Sequence, residues 1–377
     1  MKKLQLYLLE STLEKIPETW KMQNEIEFTY SDVMKSLYLT DFPNAWAEDE
    51  MKKCIGTIGA NDYFNKWTGK EFDILEDTPL NKFYEKVDDE IAKGSIINTK
   101  KTGIPLSAGN HQILFYNKKY VRKEPETFKE LIEMSEQIKK EYGLEYSFIL
   151  PTSACYFILP MLYGFGADLW NHEGEDPISK EALKKIIVLL RDLMYERKIL
   201  PIKWEQEDSV PYFMSGKAAF CIGGDWNIKQ FDESTGHNLG MCEIPRLERE
   251  CRSNANANYL FLSNQLDEEL YKNAEDLCEK VLSEEVQTQL LKELYRMPVT
   301  KDYKMDITQF DELTVKSYEI YKNAFVLPPL IDVSHMYHVL GDLLERDVVT
   351  SEPEDVLAEK FHEKLKEADK YYNKTEE

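Results

Sequence analysis

The segment Gly223-Gly224-Asp225-Trp226-Asn227 sets an indole between a carboxylate and an amide, directly after a strand that the two glycines close. A flat aromatic face flanked by hydrogen-bonding groups suits an uncharged polar ligand. Glycines there let the backbone turn sharply and leave room for that ligand. The carboxyl ends of strands are also where open α/β sheets bind ligands. The structural alternative is that Trp226 packs under a loop while Asp225 caps the next helix. Reactive chemistry finds less support. The chain has no G-x-S-x-G, H-E-x-x-H, phosphate-loop or dinucleotide fingerprint. Its six cysteines, at 54, 155, 221, 242, 251 and 278, form no C-x-x-C pair and match no zinc spacing. They read as buried or half-buried free thiols, although spacing alone leaves disulfides open. His335 and His338 lie three apart on one helix face with no third ligand nearby in sequence, so no metal is expected.

The rest of the chain must position these groups. Its 377 residues suffice for two α/β domains or one large one. Hydrophobic residues at 42% and charged residues at 31% make an ordinary globular composition. Lys and Arg total 47 against 69 Asp and Glu, and the net charge of −22 repels phosphate backbones and anionic lipid. Nucleic acid is therefore not an expected partner; a neutral or cationic ligand is compatible. The opening MKKLQLYLLES imitates an export signal only briefly, since Gln5 and Tyr7 interrupt the apolar stretch and Glu10 ends it. Alternation of Leu4, Leu6 and Leu8 fits a buried strand better. No stretch reaches the ~20 apolar residues that cross a bilayer.

Strand and helix patterns alternate, which argues for α/β layers. Strands are predicted at Leu4–Leu9, Glu25–Tyr30, Ile113–Tyr116, Ala218–Ile222 and Tyr259–Leu262, and a helix at Leu13–Met22. Thr127 and Glu130 form a capping box before a helix with Leu131, Met134 and Ile138 on its apolar stripe, and Gly143 is placed to end it. Lys180–Arg197 reads as the clearest helix, entered from Ser179. Helices follow at 267–282 and 284–296, and Ser351, Pro353 and Glu354 begin a last one by the Ser-x-x-Glu rule.

Five fragments in order carry a family resemblance. They are Gly103-Ile104-Pro105 with Leu114–Lys118; Glu124–Phe128; Leu162–Asp168; Met214–Phe220 with Ile222–Trp226; and Leu282–Gln287 with Met297-Pro298-Val299. Together they are similar to the extracellular solute-binding protein family 1, which includes maltose-binding protein. The resemblance implies an α/β, periplasmic-binding-protein-like type II fold. Two lobes would be joined by a hinge crossed more than once, with a ligand cleft between them. Lobe one would comprise 1–110 and 259–305, and lobe two 111–258 and 306–377.

It further implies a binding protein, not an enzyme, that delivers a mono- or oligosaccharide to ABC permease subunits. No cofactor and a monomeric state are expected, with an extracytoplasmic location. The apparent lack of an export signal and the six unpaired-looking cysteines keep a cytoplasmic sensor or amine receptor as the alternative. Tyr156 and Tyr337 resemble ligand-stacking aromatics of the family. Trp46 with Glu48 and Asp49 resembles its first-lobe strand end, or else is an acidic surface loop. Asn110, His111 and Gln112 lie beside the implied hinge, where they could bond ligand hydroxyls or cap a turn. None of the favoured positions is Arg or Lys, which disfavours anionic ligands. One enzyme of this fold, thiaminase I, places a nucleophilic cysteine after the hinge G-x-P; Gly103–Ile113 here contains none.

Overall fold

The computed structural model describes residues 4–8, 26–30, 56–59, 75–97, 99–168, 178–202, 204–264, 266–327 and 331–374. The predicted helix Leu13–Met22, the Trp46, Glu48 and Asp49 group and Cys54 lie outside the described residues. The described strands are β1 (Leu4–Leu8), β2 (Ile26–Tyr30), β3 (Gly56–Gly59), β4 (Ile96–Ile97), β5 (Lys100–Lys101), β6 (Ile104–Gly109), β7 (Gln112–Asn117), β8 (Phe148–Ile149), β9 (Phe220–Gly224), β10 (Leu239–Cys242), β11 (Asn254–Leu262) and β12 (Phe325–Val326). Contacts divide the chain into two compact units. The first holds Met1–Gly109, Ala255–Thr314 and Val326–Ile331; the second holds Asn110–Asn254, Val315–Phe325 and Asp332–Glu377.

In the first unit, β1 runs parallel to both β2 and β3. Strand β11 pairs antiparallel with β3 and β6, in registers Tyr259 to Gly59 and Asn256 to Gly109. Every residue of β6 and β11 is buried, the pattern of strands covered on both faces. Helices Glu268–Val281 and Glu284–Leu294 follow β11, and the Ser283 side chain caps the second.

The second unit is built on the sheet β10-β7-β9-β8. Strand β7 is antiparallel to β10 and β9, and β8 is parallel to β9. Against it, Phe115 and Phe213 meet Phe231 with ring centroids 5.0 and 4.7 Å apart. The helix Lys180–Arg191 buries Leu183, Ile186, Ile187 and Leu190 completely, each worth roughly 1.5–3 kcal/mol against exposure.

Most local signals act where the sequence places them, with instructive exceptions. Thr127 caps its helix by accepting from the Glu130 amide, and Gly143 ends it at φ 67°, a left-handed position open to glycine. Glu130 also reaches one residue further back, its Oε2 accepting from the Glu126 amide at 2.8 Å. The helix from Lys180 does not run on evenly to Arg197: at Asp192–Glu196 it widens to a π turn, closed by the Arg197 amide on the Asp192 carbonyl at 2.9 Å. The last helix begins at Glu354, which leaves Ser351 outside the cap position.

Cys221, Cys242, Cys251 and Cys278 are buried free thiols, and Cys155 is a half-buried one. Burial pushes Cys155 and Cys251 up to about 12, and the other three higher still. Because the thiolate is the nucleophile, these five thiols are expected to react only slowly with a thiol-specific reagent such as DTNB at pH 8, and fully once guanidinium unfolds the chain. The same shifts carry a sign for stability. The unfolded thiols ionise near 9 while the folded ones stay protonated, so their contribution is intact below pH 9 and falls as pH rises toward 12. Melting temperature measured from pH 8 to 11 should decline across that window.

Candidate functional site

The second unit gathers its distinctive polar and aromatic side chains where β7 begins and β9 ends. Asn110 opens this stretch at φ 55°, a left-handed conformation that asparagine tolerates. Its backbone is held on both sides: the amide donates to Asp225 Oδ2 at 2.9 Å, and the carbonyl accepts from the Tyr156 hydroxyl. The Asp225 amide in turn donates to the His111 carbonyl at 3.1 Å. His111, fully buried, turns Nδ1 toward Asp225 Oδ2 at 3.4 Å and Nε2 toward the Ser317 hydroxyl at 3.4 Å.

Gln112 ties three segments of the unit together. Its Nε2 donates to the Tyr156 carbonyl at 2.9 Å, and its Oε1 accepts from the Asn254 amide at 2.7 Å. The Ser253 hydroxyl donates to the Gln112 carbonyl at 2.6 Å. Replacing Gln112 by leucine would remove a partner from the Tyr156 carbonyl and strand the buried Asn254 amide. The expected cost is about 2–4 kcal/mol, read as a lower melting temperature with the fold retained.

On this frame stand three rings. Tyr156 and Trp226 are half-buried, with centroids 6.4 Å apart and planes 35° from parallel; Phe157 is buried and lies 6.1 Å from Trp226. The short turn Asp225–Asn227 carries Trp226 straight off the end of β9. The room made by the glycines is used differently from the sequence expectation. A Cβ on Gly224 would run into the indole of Trp226, and one on Gly223 would come within 2.9 Å of Asn227 Oδ1. The protein's own side chains fill that space, so glycine is required here to seat Trp226.

Asp225 and Asn227 are each 1% exposed, and both side chains bond to the backbone. Asn227 Oδ1 accepts from the Gly224 amide at 3.1 Å. Asp225 Oδ2 holds the Asn110 amide, and no side chain caps the helix Ile228–Ser234. His111 and Gln112 bond to groups distant in the chain, Ser317 for the first and Tyr156 and Asn254 for the second. Tyr337 is half-buried on the helix Ile331–Asp342, beside the buried Met336, Val339 and Leu340, and His338 on that helix is exposed. The described network from Asn110 to Asn254 contains one carboxylate and no lysine or arginine, and no cluster of three metal-ligating side chains occurs among the described residues.

A family profile for bacterial extracellular solute-binding protein matches residues 41–316. The chain belongs to this family. Over 246 residues this solute-binding protein is 25% identical to the maltodextrin-binding protein MdxE of Bacillus subtilis (strain 168), covering 60% of its own chain and 56% of the relative. It is 27% identical over 173 residues to the galactooligosaccharide-binding protein of the same organism, covering 42% and 40%. It thus spans about half the length of these curated relatives or less. Among solved structures it is similar to the maltose/maltodextrin-binding domain MalE of Bdellovibrio bacteriovorus, with TM-score 0.80, 19% identity and coverage of 97% and 99%. The GacH receptor of Streptomyces glaucescens GLA.O superposes with TM-score 0.82, 17% identity and coverage of 98% and 99%. These likenesses give the solute-binding protein the α/β fold of the maltose-binding-protein type. Its family consists of binding proteins and not enzymes.

Sequence reasoning missed Ser253 and Asn254 as the partners of Gln112, and Ser317 as the partner of His111. A signal exists in Ser253-Asn254-Ala255-Asn256-Ala257-Asn258, where every second residue is asparagine. Asparagine is depleted in strands, which is why intrinsic preference starts the strand only at Tyr259. The period of two is nevertheless that of β11.

Proposed function

We propose that this protein captures a neutral mono- or oligosaccharide and presents it to the permease of an ABC importer outside the cytoplasm. The observation that carries the reading is the pair Tyr156 and Trp226, half-exposed rings fixed to a rigid frame without lysine or arginine. A pyranose offers an apolar C–H face to such rings and hydroxyls to the groups at their rim. Ligand contact in the second unit falls to Trp226, Tyr156 and Tyr337. Asp225, Asn227 and the Asn110 backbone position the rings. The relatives named for maltodextrin and galactooligosaccharide support this ligand class. An amine ligand is less well supported, because the one carboxylate beside Trp226 is buried and bonded to the Asn110 amide.

Calorimetry or thermal shift against maltodextrins, galacto-oligosaccharides and monosaccharides, with polyamines as the contrasting set, tests the reading. Binding of a saccharide should raise the melting temperature as its concentration exceeds Kd. No response across the saccharides, with a response to an amine, would overturn it.

A further inference from the structure

Asn254 closes the second unit's share of β11, and its backbone is well used: the amide donates to Gln112 Oε1 at 2.7 Å, and the carbonyl lies 3.5 Å from the Tyr156 hydroxyl. Its side chain is different. The residue is 0% exposed, yet neither Nδ2 nor Oδ1 meets a hydrogen-bond partner among the described residues. The buried amides of Gln112 and Gln287, in contrast, bond at both their oxygen and their nitrogen. A buried amide unpaired at both ends is costly, and an apolar residue of similar volume would avoid the cost. Through its carbonyl the position is one hydrogen-bond step from Tyr156, whose ring centre lies 6.4 Å from that of Trp226, and it directly precedes the residue at which the chain passes into the other unit.

We propose that Asn254 is a specificity-determining residue whose amide is paired only in the ligand-bound protein, accepting from and donating to a hydroxyl. The inference rests on the saccharide reading above. A carboxamide presents a donor and an acceptor side by side, and a sugar hydroxyl is itself both donor and acceptor, so one hydroxyl or two neighbouring ones complete it. The pairing hydroxyl belongs either to the sugar or to a water bound with it. A site that keeps an unpaired amide in the free protein gains on binding what it forgoes beforehand, and it discriminates against a ligand lacking the hydroxyl.

The test compares wild type with Asn254→Leu and Asn254→Ala, using whichever saccharide the wild type binds. The expected result is a free-protein melting temperature equal to or above wild type for Asn254→Leu, together with affinity lowered tenfold or more. If leucine does not fold, the alanine variant carries the affinity measurement. A deoxy-sugar series then identifies the source. One deoxy analogue losing affinity in wild type but not in Asn254→Leu assigns the sugar hydroxyl; a uniform loss assigns the water. If wild type binds a saccharide and the variants bind within twofold of it, the inference fails while the saccharide reading stands. If wild type binds no saccharide, both fail.

Discussion

Trp226→Ala is expected to weaken saccharide binding by roughly 30- to 150-fold, with a circular-dichroism spectrum close to that of wild type. The magnitude follows from what a half-exposed indole does in a binding site: an aromatic anchor of this size commonly accounts for about 2–3 kcal/mol of affinity. The fold should survive for a geometric reason. Trp226 leaves β9 on a short turn whose backbone is held by other groups: Asp225 pairs with Asn110 and His111, and Asn227 Oδ1 receives the Gly224 amide. Removing the ring exposes one face of Gly224 and loosens contacts with Tyr156 and Phe157, but breaks none of these bonds. Isothermal titration with the saccharide found in the screen gives the number. An affinity within twofold of wild type would remove Trp226 from the site.

Gln287→Leu is expected to cost more stability than Gln112→Leu, because it strands three buried groups where the other strands one and removes a partner from a second. Gln287 is 1% exposed in the helix Glu284–Leu294 of the first unit. Its Nε2 donates to the carbonyls of Leu106 at 2.9 Å and Val281 at 2.7 Å, while Oε1 accepts from the Val299 amide at 2.8 Å. One side chain thus joins β6, the end of the preceding helix and the segment after its own. Leucine matches the volume but leaves two carbonyls and one amide unpaired in the interior. At about 1–3 kcal/mol for each stranded group, partly relieved by relaxation, the total is about 3–5 kcal/mol. Differential scanning calorimetry should show the first unit melting roughly 10 °C lower, and saccharide affinity measured well below that temperature should change little. A melting temperature within 2 °C of wild type would mean that the three groups find other partners.

The elements of this protein are largely legible in its sequence because their signals are local. Leu4, Leu6 and Leu8 alternate and form β1; Ser179 caps the helix it is expected to cap, with its hydroxyl on the Ala182 amide at 3.2 Å; Gly143 ends its helix. The departures are also local in cause. Glu130 accepts from an amide one residue beyond the expected one as well, and the asparagines of β11 conceal five residues of strand behind a low intrinsic preference.

The site divides along a different line. Sequence alone determined that Trp226 would follow a strand end beside two glycines, and that no reactive motif accompanied it, because both are statements about neighbours in the chain. Tertiary structure alone decided which polar side chains are consumed inside the protein. Gln112 meets Tyr156 across 44 residues, Asn110 meets Asp225 across 115, and Asn254 meets Gln112 across 142. A buried donor or acceptor must be paired, but the chain's order does not name its partner; only the packing that excludes water from both does so.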